Sequence, residues 1–480
     1  MSLPFDDDIA AIATAPGESG LAVVRVSGAG AVAVADRVFR GATKLADAAS
    51  HTLHHGWASS PLEANAANAA NAGSAGGAGG APLDEVVAAV FRAPRSYTRE
   101  DVVELSCHGG ALPARHVLEA LLAAGARLAG PGEFTLRAFL RGRLDLAQAE
   151  AVADLIHAET RAASDLALAQ LRGALSERLR AFASRIADCA AEVEARVDFA
   201  EDVGGVEVPA HVIGAARALA AELSAFVGAG AWARAVREGV HVPIVGRPNA
   251  GKSTLFNRLL GEERAIVAAS PGTTRDRVSE ALELGGVRVT LSDTAGLRGT
   301  DDAVEAEGVA RSRSAMDTGA LVLWVHDATR APDAEDAAIA AGLRGRRVLL
   351  ALNKRDLPGA EPAARAAAIA SALGAPPVAV ALSALSGEGL AELRAELARA
   401  LGAEGRGSLA GAVANARHAE ALARATAALE RAVAAGERGE PGECVSLELR
   451  EALAAIEEVT GQRVSDELLD RIFGRFCIGK

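Results

Sequence analysis

The sequence predicts a multidomain protein in which an α+β domain comes first and an α/β domain interrupts an all-α domain. Three observations favour this arrangement. Short β-rich runs occupy residues 1–143, helical periodicity dominates 144–237 and returns in 401–480, and a strand–loop–helix motif opens the stretch 238–400. Because the ends of a domain commonly lie close together, the economical interpretation is one discontinuous helical domain with an inserted α/β domain.

Composition narrows the class of protein and its partners. The chain has 480 residues, enough for several domains with buried cores. Its net charge of −12 disfavours non-specific nucleic-acid binding, so an RNA contact requires local arginine patches or a partner protein. No apolar stretch reaches membrane-spanning length, and the start lacks the basic and apolar regions of a signal peptide. Four dispersed cysteines, Cys107, Cys189, Cys444 and Cys477, have no metal-ligand spacing and predict reduced thiols in a cytoplasm.

The N-terminal and helical regions differ in pattern. β-rich runs lie at 21–26, 86–91 and 102–106, and a helix is expected near 113–124. The tract 63–81 is rich in Ala, Asn and Gly and predicts a disordered hairpin insertion. From Leu168 to Val197 apolar residues step by three or four, which predicts the packing seam of one long helix, with Cys189 in the core. Further helices are expected at 412–435, 447–459 and 466–473.

The segment GRPNAGKS, residues 246–253, fits the P-loop pattern G-x-x-x-x-G-K-S. The backbone N–H groups of such a loop cradle phosphates at the N-terminus of a helix. An apolar strand, 240–245, precedes the loop and a helix-compatible run, 254–260, follows it, as the motif requires. Lys252 can reach the β- and γ-phosphates, and the Ser253 hydroxyl can bind Mg²⁺.

Two later segments complete the predicted phosphate site. Asp293 ends an apolar strand, 287–291, and opens the segment DTAG. A carboxylate there can hold Mg²⁺ through water, and the Gly296 N–H can sense the γ-phosphate. Thr273 or Thr274, in PGTTRD, can order a switch segment when γ-phosphate and Mg²⁺ are present.

The segment NKRD, residues 353–356, follows the strand 347–352 and predicts guanine as the base. The Asp356 carboxylate can accept hydrogen bonds from guanine N1–H and the 2-amino group, a pair that adenine lacks. Ser383-Ala384-Leu385, after the strand 378–382, would place a backbone N–H at guanine O6. Together the four segments predict a GTPase. The predicted GTP-binding residues are Asn249, Ala250, Gly251, Lys252, Ser253, Thr254, Ala268, Ala269, Ser270, Pro271, Gly272, Thr273, Thr274, Asp293, Thr294, Ala295, Gly296, Asn353, Lys354, Asp356, Ser383, Ala384 and Leu385.

The residue that orients the attacking water is not obvious. In Ras-type GTPases it is a Gln that directly follows the DTAG-like glycine. Here that position is Leu297, which cannot form a side-chain hydrogen bond, so another group must act. The acidic stretch that follows offers Asp301, Asp302, Glu305 and Glu307.

These motifs, spelled GRPNAGKST, PGTTRD, DTAGLR and NKRD, together with the ending FCIGK, resemble the MnmE (TrmE) family of tRNA-modifying GTPases. The segments TAPGESGLAVVRVSG, SYTREDVVELSCHGG and RLAGPGEFTLRAFLRGRLDLAQAEAVADLI resemble the same family, so the resemblance spans essentially the whole chain. It implies a folate-binding and dimerising domain at 1–143, a discontinuous helical domain at 144–237 and 401–480, and a Ras-like G domain at 238–400.

The resemblance also implies an activity and its partners. A homodimer works with the flavoprotein MnmG on C5 of the wobble uridine, position 34, of certain tRNAs. The added group is aminomethyl or carboxymethylaminomethyl, and a methylene group comes from 5,10-methylenetetrahydrofolate, for which 5-formyl-tetrahydrofolate is an analogue.

Several site residues follow from the resemblance alone. Arg25, Glu104, Arg143 and Lys480 resemble the folate contacts of the family, and Cys477 belongs to its C-terminal tail. Arg143 stands where better-known members carry Lys, so charge is kept while hydrogen-bond geometry differs. Glu305 occupies the place of the catalytic glutamate.

Metal ligands are implied in the same way. Asn249 resembles a potassium ligand, aided by oxygens of Ala268, Ser270 and Thr273, and Mg²⁺ is assigned to Ser253 and Thr274. Potassium would supply the positive charge that an arginine finger supplies elsewhere, with Arg275 as the rival source. An Asn in such a loop is otherwise more often a loop-stabilising residue.

Two other function classes are open at this point. An RNA-assembly GTPase would share every G motif but not the N-terminal segments or FCIGK. A folate-dependent aminomethyltransferase with a regulatory G domain would bind methylene-tetrahydrofolate without modifying tRNA. For Glu104, the simpler structural interpretation is a strand-end carboxylate paired with a neighbouring arginine.

Overall fold

The computed structural model describes residues 7–60, 81–198, 207–262, 281–293, 321–402 and 411–480. The chain forms two compact units. One combines Met1–Ala153 with Glu457–Lys480, and the other is Asp154–Ile456.

The described strands and helices are numbered here in chain order. The strands are β1 (Ile9–Ile12), β2 (Leu21–Ser27), β3 (Phe39–Gly41), β4 (Thr52–Ser59), β5 (Pro82–Phe91), β6 (Val102–His108), β7 (Arg127–Leu128), β8 (Val240–Val245), β9 (Ala281–Leu284), β10 (Val287–Asp293), β11 (Leu321–Asp327), β12 (Arg347–Asn353) and β13 (Val378–Ala381). The helices are α1 (Ala31–Val38), α2 (Ala111–Ala123), α3 (Glu133–Leu140), α4 (Leu146–His157), α5 (Arg161–Leu171), α6 (Ala174–Asp198), α7 (Ala210–Ala229), α8 (Ala231–Glu238), α9 (Lys252–Glu262), α10 (Ala334–Leu343), α11 (Pro362–Leu373), α12 (Leu390–Ala400), α13 (Ala416–Glu437), α14 (Gly442–Thr460) and α15 (Asp466–Phe473), with a 3₁₀ turn at Leu45–Asp47.

The first unit is built on a seven-stranded sheet in the order β3-β4-β5-β6-β2-β1-β7. Its pairings are antiparallel except for that of β1 with β7. Side chains alternate between faces along each strand. In β2, for example, Ala22, Val24 and Val26 are buried while Arg25 is only partly so. Helices α1 and α2 pack against the buried face, which confirms the α+β prediction for this region.

The opposite face of this sheet keeps apolar side chains in solvent. On β4, Leu53 and Trp57 are 73% and 48% exposed, and Val87 on β5 and Leu21 on β2 are exposed as well. Leu53, Trp57 and Val87 lie on the adjacent strands β4 and β5, where neighbouring apolar groups mark an interaction surface, whereas β6 separates Leu21 on β2 from them.

The predicted hairpin joins β4 to β5, which pair antiparallel with Thr52 opposite Val90. At its open end the Ser60 N–H donates to the Ala81 carbonyl at 3.4 Å. The hairpin prediction is therefore confirmed, while the disorder predicted for 63–81 concerns residues that, apart from Ala81, lie outside the described residues.

The chain end returns to the first unit. Apolar residues of α15 and the turn after it, Leu469, Phe473 and Phe476, share a core cluster with Leu136 of α3 and Leu146 of α4. The C-terminal tail consequently begins from a packed helix.

The second unit contains the predicted α/β domain. Its six-stranded sheet has the order β13-β12-β11-β8-β10-β9, and all pairings are parallel except β9 with β10. Strand β8 has the predicted bounds. Since the carboxyl ends of parallel strands meet at one edge of a sheet, the loops after β8, β11 and β12 lie together there.

The prediction of one long helix from Leu168 to Val197 is wrong. The chain forms α5 and α6, separated at Gly173, whose φ of 92° breaks the helical path. Leu168 is accordingly 45% exposed, while Cys189 is buried in α6 as predicted. The apolar spacing across the break does not follow the buried face of α5, which contains Leu166 and Ala167 instead of Leu168.

One segment bears on the expectation that no apolar stretch could span a membrane. Ala210–Glu238 is long and apolar enough to do so by length and composition, which is weak support for a span. In the structure α7 packs on α13, and Val212, Leu219 and Leu223 are buried.

Candidate functional sites

The P-loop connects β8 to α9 and has the backbone that its motif requires. Gly246 has φ 147°, and a Cβ there would lie 2.2 Å from the Val325 carbonyl oxygen. Gly251 has φ 94°, and its Cβ would lie 2.2 Å from Nδ2 of Asn353. Both positions therefore demand glycine. Asn249 also has a positive φ, 63°, a conformation that Asn tolerates better than most residues.

Lys252 begins α9 and lies within the loop. Its side chain is almost fully buried, and Nζ donates to the Arg247 carbonyl at 2.9 Å. A buried ammonium enclosed by a glycine-rich loop at a helix N-terminus forms the positive part of a phosphate cradle.

The oxygen donors predicted for Mg²⁺ lie on adjacent elements. Ser253 is in the first turn of α9, and Asp293 ends β10 opposite Ile244 of β8. Only the backbone of Asp293 belongs to the described structure. Hydroxyl and carboxylate oxygens suit a hard cation such as Mg²⁺.

Asn353 connects the P-loop to the predicted base-binding loop. Its Nδ2 donates to the Ala250 carbonyl at 2.8 Å, and its Oδ1 accepts from the Ala384 N–H at 2.9 Å. All three residues are buried. Asn353 thus holds the phosphate and base segments in one arrangement.

The rest of NKRD lies at the same sheet edge. Lys354 has φ 65°, and its Nζ is 2.6 Å from Oδ2 of Asp327, the last residue of β11. Burial would raise the pKa of Asp327, but hydrogen bonds from Lys354 and Thr329 hold it below its usual value. Asp356 is exposed, which leaves its carboxylate accessible to a base. Ser383 is buried and Leu385 is exposed on the neighbouring loop.

A contact that the motifs did not predict anchors the P-loop. Arg247 pairs with Asp333 and, at 3.0 Å, with Glu335, at the start of α10. Asp333 also caps that helix by accepting from the N–H groups of Glu335 and Asp336. The acidic run Asp333–Asp336 and Arg247 are both present in the sequence. No motif indicates that the fold brings them together.

The remaining predicted residues of this site lie outside the described residues. They are Ala268, Ala269, Ser270, Pro271, Gly272, Thr273, Thr274, Thr294, Ala295, Gly296, Glu305 and the rival Arg275.

The first unit contains a pocket of about 540 Å³, whose lining includes Tyr97, Glu104 and Arg143. Arg25 and Glu104 are directly opposite each other on β2 and β6. Nε and Nη2 of Arg25 contact Oε1 of Glu104 at 2.8 and 2.7 Å. Among the described residues Oε2 of Glu104 has no partner. The structural interpretation of Glu104 as a paired strand carboxylate is correct, and the same carboxylate lines the pocket.

Two guanidinium groups lie close to the Tyr97 ring. The Arg25 and Arg143 groups are 5.4 and 4.9 Å from its ring centroid, within the range of cation–π contacts. Arg143 also donates to the Tyr97 carbonyl at 2.9 Å. Sequence reasoning missed Tyr97, as well as Arg95 and Arg99, which also line the pocket.

The C-terminal tail lies against the start of α3. The Lys480 backbone oxygen accepts from the Phe134 N–H at 3.2 Å, and the Gly132 N–H donates to the Cys477 carbonyl at 3.4 Å. Gly479 has φ 96°, and a Cβ there would lie 2.2 Å from the Ile12 carbonyl oxygen. The Arg25 guanidinium lies 5.5 Å from the Phe134 ring, so Phe134 contacts both the tail and the Arg25–Glu104 pair.

The cysteines fall into two classes. Cys477 and Cys444 are exposed free thiols, whereas Cys107 and Cys189 are buried. Burial raises the pKa of the Cys107 thiol to about 11 and raises that of Cys189 as well. Reactive thiolate chemistry is therefore disfavoured at the buried pair.

Comparison with known proteins identifies the family of this chain. The family model described as the MnmE helical domain matches residues 146–477, and that of the GTP-binding protein TrmE N-terminus matches 8–143. The tRNA modification GTPase MnmE of Symbiobacterium thermophilum is 46% identical over 99% of this chain and 100% of its own length. That of Geobacter sulfurreducens is 44% identical over 99% of each chain.

A solved structure, the G domain of the FeoB iron transporter of T. maritima, is 28% identical and covers 34% of this chain and 98% of its own, with a TM-score of 0.24. A TM-score this low supports no argument. The two family models and the full-length relatives agree with each other and with the motifs. This chain therefore belongs to the MnmE (TrmE) family of tRNA modification GTPases.

Proposed function

We propose that this chain, a tRNA modification GTPase by family, is activated by potassium and works with the flavoprotein MnmG. The two proteins add an aminomethyl or carboxymethylaminomethyl group to C5 of the wobble uridine, position 34, of certain tRNAs. The one-carbon unit comes from 5,10-methylenetetrahydrofolate. The proposal rests on two sites that occur in one chain. In the first, Asn353 connects the P-loop to the base-binding loop by hydrogen bonds. The second is a separate pocket lined by Glu104 and Arg143.

GTP is assigned to the α/β domain. Lys252 binds the β- and γ-phosphates, and Asp356 accepts from guanine. Ser253 and Thr274 hold Mg²⁺, which neutralises charge on the phosphate oxygens. Glu305 orients the attacking water. The buried position of Lys252 and the exposed carboxylate of Asp356 support these assignments.

Potassium is assigned to Asn249 with oxygens of Ala268, Ser270 and Thr273. The positive φ of Asn249 in the P-loop and its place beside a cleft shared with Arg247 support the assignment. Arg247 is already committed to Asp333 and Glu335, so within the described residues it is not available as an arginine finger. A bound cation supplies that positive charge instead.

Folate is assigned to the pocket of the first unit. A pterin ring presents an N–H and an amino group side by side, a pair that suits the free oxygen of Glu104. The glutamate tail carries carboxylates, which suit Arg143, Arg95 and Arg99. Arg25 neutralises and orients Glu104. Lys480 accepts from the N–H of Phe134, whose ring lies 5.5 Å from the Arg25 guanidinium. Cys477, exposed on the same tail, is assigned as the tail thiol.

The homodimer is assigned to the open face of the first sheet. Exposed Leu53, Trp57 and Val87 on the adjacent strands β4 and β5, together with Leu21 further across the same face on β2, supply the apolar surface that a second copy can cover. The face includes β2 and β6, which carry Arg25 and Glu104, so dimerisation and folate binding involve the same strands. We also assign the protein to the cytoplasm, in keeping with its free cysteines.

The direct test is mass spectrometry of tRNA nucleosides from a strain that lacks this gene. The expected result is loss of the C5-modified wobble uridine and its return when the wild-type gene is restored. A normal nucleoside profile in the deletion strain contradicts the proposal. A normal profile would favour an RNA-assembly GTPase. A normal profile in a protein that nevertheless binds methylene-tetrahydrofolate would favour an aminomethyltransferase.

A further inference from the structure

The nucleotide site lies at the carboxyl ends of the parallel strands, and a basic groove lies at their amino ends. A groove of about 390 Å³ lies where β11, β12 and β13 begin, and four arginines line it: Arg344, Arg346, Arg347 and Arg399. Its one carboxylate, Glu396, is paired with Arg399. Four arginines less one glutamate give the lining a net charge of +3, in a chain whose net charge is −12.

Two of these arginines are held by helix ends. Nε and Nη2 of Arg344 contact the Ala372 carbonyl in the last turn of α11 at 3.4 and 3.3 Å. Nη2 of Arg347 donates to the Ala400 carbonyl at the end of α12 at 2.5 Å. Cations beside helix C-termini are stabilised by the helix dipole, so these contacts alone have a structural explanation.

Arg346 has no such explanation. Its Nη1 is buried and has no hydrogen-bond partner in the part of the chain that the structure describes. Buried donors are normally paired, and an unpaired one points to an acceptor that the described part of the chain does not supply. Each guanidinium has five N–H donors, so Arg344 and Arg347 also keep donors beyond those that the carbonyls take. Several guanidinium groups around one groove suit the oxygens of phosphates.

We propose that this groove binds the phosphodiester backbone of tRNA. The inference rests on the proposed function, which makes tRNA the substrate, and adds a place where the chain contacts it. Because the overall charge repels RNA, binding has to use a locally basic surface. Phosphate contacts hold RNA without reading its sequence, which suits a protein that acts on several tRNAs. The groove lies at the opposite strand ends from the P-loop, so tRNA and GTP do not compete for it.

The test is a titration with tRNA at several potassium chloride concentrations, read by fluorescence anisotropy. Replacing Arg344, Arg346 and Arg347 together by Gln should weaken binding and lower the log–log salt slope by roughly 3, about one for each lost phosphate contact. GTP affinity should stay unchanged. A control that replaces Arg431, Arg438 and Arg450 by Gln removes the same charge from exposed ion pairs and should leave the slope unchanged.

Since Arg344 and Arg347 also hold helix ends, Arg346→Gln alone serves as a second variant. It should lower the slope by about 1 with no loss of melting temperature. If wild-type protein binds tRNA and both groove variants keep its slope, the groove inference is overturned and the proposed function stands. If wild-type protein fails to bind tRNA even with MnmG present, the proposed function itself is overturned.

Two further outcomes also overturn the groove inference. Inorganic phosphate that binds wild type but not Arg346→Gln, with tRNA binding equal in both, identifies a site for free phosphate. Loss of MnmG binding in the groove variants, with tRNA binding intact, identifies a protein-docking surface.

Discussion

The nucleotide site is made by short runs of adjacent residues, whereas the N-terminal pocket draws its residues from distant parts of the chain. In the P-loop, Gly246, Asn249 and Gly251 set the backbone path within six residues. Glu104, which lines the pocket, pairs with Arg25 on the adjacent strand. The Arg25 guanidinium in turn lies near the ring of Phe134, whose N–H donates to the Lys480 backbone oxygen.

The two sites therefore require different amounts of folded structure. A loop that binds phosphate through backbone N–H groups needs only local backbone geometry, so its sequence motif is nearly sufficient to predict the site. A pocket that binds through side chains needs the sheet register, the turn before α3 and the docking of α15 all together. Substitutions in the nucleotide site should therefore affect individual contacts with GTP. Substitutions in the N-terminal pocket should affect folate binding through several side chains that contact one another.

The largest expected effect concerns the base. Asp356→Asn replaces an acceptor pair with an amide that can donate to the 2-oxo group of xanthosine triphosphate. The preference for GTP over that nucleotide should shift by about 10⁴-fold, because a bound base covers this position and hydrogen-bonding groups left unpaired beneath it discriminate strongly. Competition binding measures it, with Glu361→Gln at the start of α11 as control. A variant that still prefers GTP would show that Asp356 does not contact the base.

Potassium should accelerate GTP hydrolysis and sodium should do so poorly. A cation at Asn249 can supply up to about 10³-fold, the lower end of what an arginine finger provides. Turnover measured in matched potassium and sodium buffers decides the matter. Equal rates rule out the cation role, and loss of activity in Arg275→Ala alone identifies the rival.

Glu305→Ala should hydrolyse GTP about 10²–10⁴-fold more slowly even in potassium, since a positioned general base typically contributes that much. GTP and Mg²⁺ affinity should be normal because Glu305 is not part of the phosphate cradle. Single-turnover kinetics and nucleotide binding are measured together, with Asp302→Ala as the matched carboxylate. Unchanged turnover in Glu305→Ala and its loss in Asp302→Ala would mean that the other carboxylate orients the water.

A smaller effect is expected in the N-terminal pocket. Glu104→Ala and Arg25→Ala should each weaken 5-formyl-tetrahydrofolate by about 10–100-fold, the equivalent of one charged hydrogen bond. Titration calorimetry provides the measurement. Glu85→Ala, an exposed carboxylate on β5 that pairs with His55, is the control on the same sheet. Unchanged affinity in both pocket variants would remove Arg25 and Glu104 from the site.

Sequence reasoning was most successful where chemistry is local. It gave β8 its observed bounds and identified the hairpin of β4 and β5. It failed at Gly173, because helical periodicity does not reveal a single residue with positive φ. Three features depend on residues that only folding brings together. They are the hydrogen bonds from Asn353 to two loops, the Arg247–Asp333 ion pair and the contacts of the Tyr97 ring with two arginines. No local pattern encodes such pairs.

The central claim is that the two sites serve one reaction on tRNA. Its most direct test is nucleoside mass spectrometry of tRNA from the deletion strain restored with wild type, Asp356→Asn or Glu104→Gln. The account predicts that wild type restores the C5-modified wobble uridine and that each variant alone fails to restore it, although Glu104→Gln still hydrolyses GTP. Full restoration of the modification by Glu104→Gln together with its loss of folate binding would contradict the claim.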